Sequence, residues 1–405
     1  MSNITNETWD ECDVEESHFL DIRFVTSGIV GFSICTYGIL SNIIILIVFS
    51  KYGTRTANTI LLQALACFDI CVLVCYILIY SLQFIFEYHN FIFGHFVFVH
   101  YVPFVYPFSR ISQTATTYTM IIATIERSIT LVRQNYARRL FTTKSAVFMV
   151  CMTIAICLSM HVVRYWEVKV EQKPNCTGFA SYQVGPSNLF KNEHYTHIFG
   201  VYFTNFSQIL LPFAILLFLT VVNVLNFRND TKSVIHRQQN SRQFGQNHVS
   251  RKVQQSRDVT KVLIVLVLTY LIFNALGVVL TLWEVIDKNT LYVRRDFYVG
   301  VVECINLCAI TNSSLRVANY LIFNRQFRSL AKKLFWDTMT FASRRDKFND
   351  GYALASMGTS DYCNGPTTPP PLFPTVTAHI LLAGDNSNNS TTTVNYINND
   401  CEKEY

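Results

Sequence analysis

The sequence predicts an all-α membrane protein: a seven-transmembrane helix bundle with a short amphipathic membrane-surface helix after the seventh span. Three observations carry that prediction. Half of the 405 residues are hydrophobic and only 15 % are charged, against about a quarter in soluble domains. Seven apolar runs, at about 25–50, 59–86, 97–125, 145–163, 198–227, 260–283 and 297–323, each provide the roughly 20 helical residues that cross a hydrocarbon core. Lysine and arginine gather in alternate connections between them. Backbone polar groups must be satisfied internally in lipid, and the runs lack the alternation of short barrel strands, so helices are the reading.

Residues 1–24 are acidic (Asp10, Glu11, Asp13, Glu15, Glu16, Asp21) with the single arginine Arg23, which places them outside the cell. They lack the basic start and apolar centre of a cleavable signal, so the first helix is expected to insert the chain itself. Asn3, Asn6 and Asn175 head glycosylation triplets on the same side. Arg127, Arg133, Arg138, Arg139 and Lys144 follow the third run, and a third inner loop over 228–261 adds eight more cations. Arg325, Arg328, Lys332 and Lys333 follow the seventh. All fall on one side of seven crossings, the cytoplasmic side. The formal charge of +6 therefore reports membrane topology and not nucleic-acid binding. The protein is expected in the plasma membrane, multi-pass, with its C-terminus in the cytoplasm.

The other connections are short. After helix seven, Phe327, Leu330, Leu334 and Phe335 recur at helical spacing against Arg328, Lys332 and Lys333, the pattern of a helix lying on the inner leaflet. No cysteine follows closely for a lipid anchor, and Trp336 is placed to serve instead. From about 337 the periodicity ends in GPTTPPPLFPT and DNSNNSTTTVNYINND. This tail is either a solvated linker or a phosphorylatable segment for a basic partner such as arrestin after a receptor kinase. Three segments follow: 1–24 outside, 25–336 the helical domain, and 337–405 a disordered cytoplasmic tail.

Polar residues inside the helices carry the functional reading, because they are costly there and face a bundle interior or a cavity. Helix one holds Gly38-Ile-Leu-Ser-Asn42, helix two Leu65-Ala-Cys-Phe-Asp69, and helix three ends Thr124-Ile-Glu-Arg127-Ser128. Helix five has Pro212, and helix seven ends Asn312-Ser-Ser-Leu-Arg-Val-Ala-Asn-Tyr320. With these five motifs in order, the chain resembles a rhodopsin-like (class A) G-protein-coupled receptor over about residues 25–336. A finer likeness, to FMRFamide-type neuropeptide receptors of invertebrates, rests on three stretches. These are Leu62-Gln-Ala-Leu-Ala-Cys-Phe-Asp69, Tyr101-Val-Pro-Phe-Val-Tyr-Pro107 with Gln113-Thr-Ala-Thr116, and Asn312-Ser-Ser314 leading to Asn324-Arg-Gln-Phe-Arg328.

The chain departs from the wider family at several landmarks. Ser128 stands where tyrosine is usual, Asn274 and Leu276 where helix six has its tryptophan and proline, and helix four has no central tryptophan. Val102 takes the usual cysteine position atop helix three. That leaves Cys12 as the other outside cysteine for Cys176; either the two pair or both are free or capped.

The resemblance implies a receptor without enzymatic chemistry, cofactor or metal, whose partners are a peptide ligand, a heterotrimeric G protein and the bilayer. It makes Glu126, Arg127 and Tyr320 the G-protein switch, with Arg127 pairing with Glu126 when the bundle is closed; a plain interfacial arginine is the alternative. It puts Arg316 where an Asn or Asp usually faces the helix-two aspartate, here Asp69. Receptors of that family often hold sodium there, so the arginine would replace the ion, as a fork on Asp69 with Asn42, Thr116 and Asn312 nearby. Alternatively, Arg316 turns into a wet crevice and pairs with nothing.

An outward pocket is expected from Tyr106, Ser109, Arg110, Gln113, Asn274, Glu284 and Glu303. Glu284 and Glu303 are the anions for the arginine of an Arg-Phe-amide peptide, while Arg110 competes as an internal partner of Glu303. A second possibility is an orphan chemosensory receptor for small molecules. A retinal protein needs a helix-seven lysine, and 297–323 has none.

Overall fold

The computed structural model describes residues 20–53, 55–173, 176, 178–240, 247–286 and 295–340. Asn3, Asn6, Cys12, Asn175 and the tail beyond 340 lie outside the described residues.

Six helices are long and apolar enough to cross a membrane: α1 (Leu20–Lys51), α2 (Ala57–Tyr88), α3 (Ile92–Val132), α4 (Thr143–Trp166), α5 with its span at Phe206–Asn229, and α6 (Asn247–Ile286) with its span at Arg257–Ile286. The seventh, α7, runs Arg295–Ser314 and resumes as Arg316–Phe323 after a break at Leu315. It is less apolar because it carries Glu303, Arg316 and the Asn-Ser-Ser run, yet it packs against α1, α2 and α6 to close the bundle. Helix α3 is central, against α2, α4 and α5. The outward residues are apolar: Ile272 is 72 % and Phe218 67 % exposed, a surface that suits lipid and not water.

Caps set where the inner ends begin. The Thr56 hydroxyl accepts from the backbone N–H of Thr59 (3.3 Å), opening α2, and Thr142 accepts from Ser145 (3.2 Å), opening α4. The Asn324 side chain accepts from Phe327 (3.0 Å) and opens α8, helical over 325–340. Each satisfies an amide that the first helical turn leaves without a partner. Phe327 then packs on Phe49 and Tyr320, at ring distances of 5.5 and 5.3 Å. So α8 is joined to the core formed by Ile45, Val48, Leu62, Val262, Leu266 and Val317.

Two expectations need correction. The surface helix continues to 340, past the boundary at 336. Most of the loop expected at 228–261 is helix, since helical structure runs to Asn240 and restarts at Asn247; once a helix is nucleated, each added residue gains a hydrogen bond even outside lipid. The second outer connection, expected only to be short, has structure of its own. It forms an antiparallel hairpin of β1 (Val168–Gln172) and β2 (Tyr182–Pro186), in register Val168 to Pro186 through Gln172 to Tyr182. Val170 and Tyr182 pack on Phe98, Val99 and Val102 of α3, so apolar contact seats the hairpin on the third span.

Candidate functional site

At mid-depth, Asp69 of α2 and Arg316 of α7 are in contact through Nε and Oδ2, and their side chains are 0 % and 3 % exposed. The break at Leu315 puts Arg316 at the start of the last helical segment, aimed into the bundle. The expected fork is not formed. The Ser313 hydroxyl donates to the other Asp69 oxygen at 3.1 Å, and both terminal nitrogens of Arg316 lack a hydrogen-bond partner. Thr116 and Asn312 are both buried. Asn42 serves a different purpose: its amide donates to the backbone oxygens of Gly38 (2.9 Å) and Ser313 (3.1 Å), sealing α1 to α7. These residues do not suit a sodium ion, because the carboxylate that would hold it already faces a guanidinium.

At the outer end the expected pocket residues divide. Arg110 lies over the Tyr106 ring at 5.4 Å, with Ser109 and Gln113 half-buried within a turn of it on α3. Among the described residues no carboxylate lies within ion-pair distance of Arg110. Glu303 pairs instead with Arg23 at 2.6 Å, which corrects the expected competition from Arg110; Arg23 is on α1, and its guanidinium also sits over Phe84 at 5.5 Å. Glu284 accepts from Tyr298 of α7 (2.8 Å) and from Asn205, the residue just before the α5 span (3.4 Å). Asn274 donates to Tyr270 on its own helix (2.8 Å), so its amide group is turned to the backbone.

Two buried networks were missed in the sequence. Arg164 bonds Glu167 (3.2 Å) and Thr204 (2.8 Å), and Glu167 accepts from Tyr195 (2.8 Å), which locks the outer ends of α4 and α5 together. An arginine and a glutamate three residues apart just beyond an apolar run were the available signal. At the inner end Ser128 donates to Asn223 of α5 at 2.8 Å, and Asn223 donates to the Thr124 carbonyl at 3.4 Å. Polar residues in apolar helices are the hint for such a latch.

A cavity of about 680 Å³ opens beside that latch. Its lining includes Glu126, Arg127, Tyr320, Val259, Leu263 and Asn324. Arg127 pairs with Glu126 at 2.8 Å, and Thr130 donates to the same carboxylate at 3.2 Å. The cavity thus brings Glu126, Arg127 and Tyr320 to one opening, with the guanidinium held on its neighbour.

The description of serpentine-type 7TM GPCR chemoreceptors of the Srw family matches residues 29–338. The chain belongs to that family. The match runs from within α1 to within the last turn of α8, so it takes in all seven helices of this Srw receptor and most of its surface helix. The receptor is also similar to the FMRFamide receptor of Drosophila melanogaster, 26 % identical over 318 residues. That likeness covers 78 % of this chain but spans only about half of the relative, 54 % of its length. The cysteines of the receptor gain a detail from the structure: Cys176 is disulfide-bonded, whereas Cys35, Cys67, Cys71, Cys75, Cys151, Cys157, Cys304 and Cys308 are free thiols.

Proposed function

We propose that this G-protein-coupled receptor binds an amidated neuropeptide ending in Arg-Phe-amide and passes that binding to a heterotrimeric G protein at the inner cavity. The carrying observation is Glu284. Tyr298 and Asn205 hold its carboxylate between α5, α6 and α7. Both donors are neutral, and no cation among the described residues lies within ion-pair distance of it. A carboxylate fixed by neutral donors is a ready counter-charge for a ligand guanidinium, and charge-assisted bonds of that kind are about twice as strong as neutral ones. Glu303 is less available, since Arg23 already neutralises it. The rings of Tyr101 and Tyr106 offer aromatic surface to a phenyl group, while Gln113 and Arg110 offer donors to the amide oxygen.

The inner end supplies the rest. Releasing Arg127 from Glu126 as α5 and α6 part would widen the cavity for a G-protein segment, and linkage then requires the G protein to raise peptide affinity. The acidic amino-terminal segment is placed outside the plasma membrane, with Asn3, Asn6 and Asn175 as glycosylation acceptors. The tail is placed in the cytoplasm as the substrate of a receptor kinase and a partner of arrestin. Cys12 is the proposed partner of Cys176, because Cys363 and Cys401 fall on the other side of the membrane.

The second reading, a chemosensory receptor for small molecules, is favoured by the description of the Srw family itself. One experiment separates the two. Cells expressing the chain are given Arg-Phe-amide peptides, the same peptides with citrulline for arginine, and a small-molecule panel, with second-messenger output as readout. A response to the arginine peptides that weakens about ten-fold or more with citrulline, and equally in Glu284→Gln, supports the peptide reading. A response confined to small molecules refutes it.

A further inference from the structure

Helix α8 has two different apolar faces. Phe327, Leu330 and Leu334 pack inward on the α1, α6 and α7 core. A second face, Arg328, Ala331, Lys332, Phe335 and Trp336, combines with Leu321 from the end of α7 to line a hollow of about 340 Å³. The spacing of these residues puts them on successive turns of one helix side. Phe335 is 59 % and Trp336 67 % exposed, so this face is open to whatever surrounds the bundle.

The charge in the hollow is one-sided. Arg328 spends one terminal nitrogen on the Ile322 carbonyl at 3.3 Å and keeps its other donors. Lys332 is exposed, and no carboxylate among the described residues lies within ion-pair distance of it. The acid of α8, Asp337, is turned elsewhere: it accepts from the Tyr52 phenol and holds that phenol above the ordinary tyrosine range, first through the hydrogen bond itself. Lys333 lies over the same ring at 5.2 Å. Two cations thus stand without an anion at the mouth of an apolar hollow, beside the end of a membrane span.

We propose that this hollow binds the phosphate headgroup of an anionic phospholipid in the leaflet it faces. Arg328 and Lys332 take the phosphate oxygens, the guanidinium as a directional donor and the ammonium as a point charge. Leu321, Ala331 and Phe335 lie along the first carbons of an acyl chain, and the Trp336 ring sits at the boundary of lipid and water, where indole is at home. The apolar half of the lining is the reason to name a lipid and not a soluble phosphate, which would gain nothing from it. Because α8 is capped by Asn324 and packed through Phe327 onto Tyr320, a lipid held here braces the helix that borders the inner cavity.

The test uses the purified full chain in mild detergent and a fluorescent short-chain phosphatidylinositol 4,5-bisphosphate, with binding read by anisotropy. Unlabelled phosphatidylcholine and the free inositol trisphosphate headgroup serve as competitors. Arg328→Gln combined with Lys332→Gln is expected to weaken binding about ten-fold or more. Arg325→Gln, a cation of α8 outside the hollow, is expected to change it less than about two-fold. Trp336→Ala, which keeps every charge, is expected to weaken it about three- to ten-fold. Phosphatidylcholine and the headgroup alone should compete poorly. The proposal is overturned if the double variant binds as the wild type does, if Arg325→Gln costs as much, or if phosphatidylcholine competes equally. It is also overturned if the free headgroup competes as well as the lipid, which would make the cations a soluble-phosphate site.

Discussion

Removing one member of the Asp69–Arg316 pair leaves the other charged and buried. The side chains are 0 % and 3 % exposed, so solvent screens neither, and salt in the medium has little reach. At an effective dielectric constant of about 20, two unit charges about 4 Å apart attract by about 4 kcal/mol. Loss of one partner from a buried pair costs about 3–5 kcal/mol. The single Nε contact, with the terminal nitrogens of Arg316 without partners, places Asp69→Asn and Arg316→Gln near the lower end, about 3 kcal/mol each. The double variant removes both charges at once, so its loss should fall at least about 1.5 kcal/mol short of the sum of the singles. Thermal unfolding of the purified chain, followed by thiol labelling of the free buried cysteines, reads all four proteins. The same scan in sodium and in a bulky organic cation should give one midpoint for the wild type. Additive losses in the double variant, or a sodium-dependent midpoint abolished by Asp69→Asn, would refute the idea that Arg316 is the resident cation.

Other substitutions follow from the same packing. A methyl group at Gly38 would lie 2.7 Å from Leu73 Cδ1 and closer still to Ser314 Oγ, so Gly38→Ala should cost about 1–3 kcal/mol in the same unfolding assay, and Gly38→Val more. Ser128→Ala frees Asn223, which is buried; loss of about 1 kcal/mol of closed-state stabilisation should raise ligand-independent signalling about five-fold, measured at matched surface expression. Cys12→Ser should make Cys176 alkylatable in intact cells without reductant; continued protection of Cys176 would assign its bond to another cysteine.

Much of the fold was legible because lipid permits so few backbone solutions: once apolar runs of span length were seen, helices and their order followed. The helix ends were less legible. Thr56, Thr142 and Asn324 mark starts by side-chain acceptors that the sequence shows plainly, but α5 and α6 run on into polar sequence where no apolar period reports them. The β1–β2 hairpin carried too little alternation to announce itself. Asp69 and Arg316 stood out as charges within apolar runs and do meet. Ser313 was hidden by being one of two adjacent serines, only one of which faces the carboxylate. The partner of Glu303, left open between a ligand and Arg110, was not legible because sequence spacing carries no information on which helices adjoin: Arg23 reaches it from α1, while Arg110 on α3 turns to Tyr106.

The most direct measurement is nucleotide exchange on a purified heterotrimeric G protein by the reconstituted receptor, with peptide binding recorded in the same preparation. An Arg-Phe-amide peptide should accelerate exchange about ten-fold or more with the wild type, and Arg127→Ala should bind the peptide yet give no acceleration. Full acceleration by Arg127→Ala, or a bound peptide that leaves exchange unchanged in the wild type, would contradict a switch at the inner cavity.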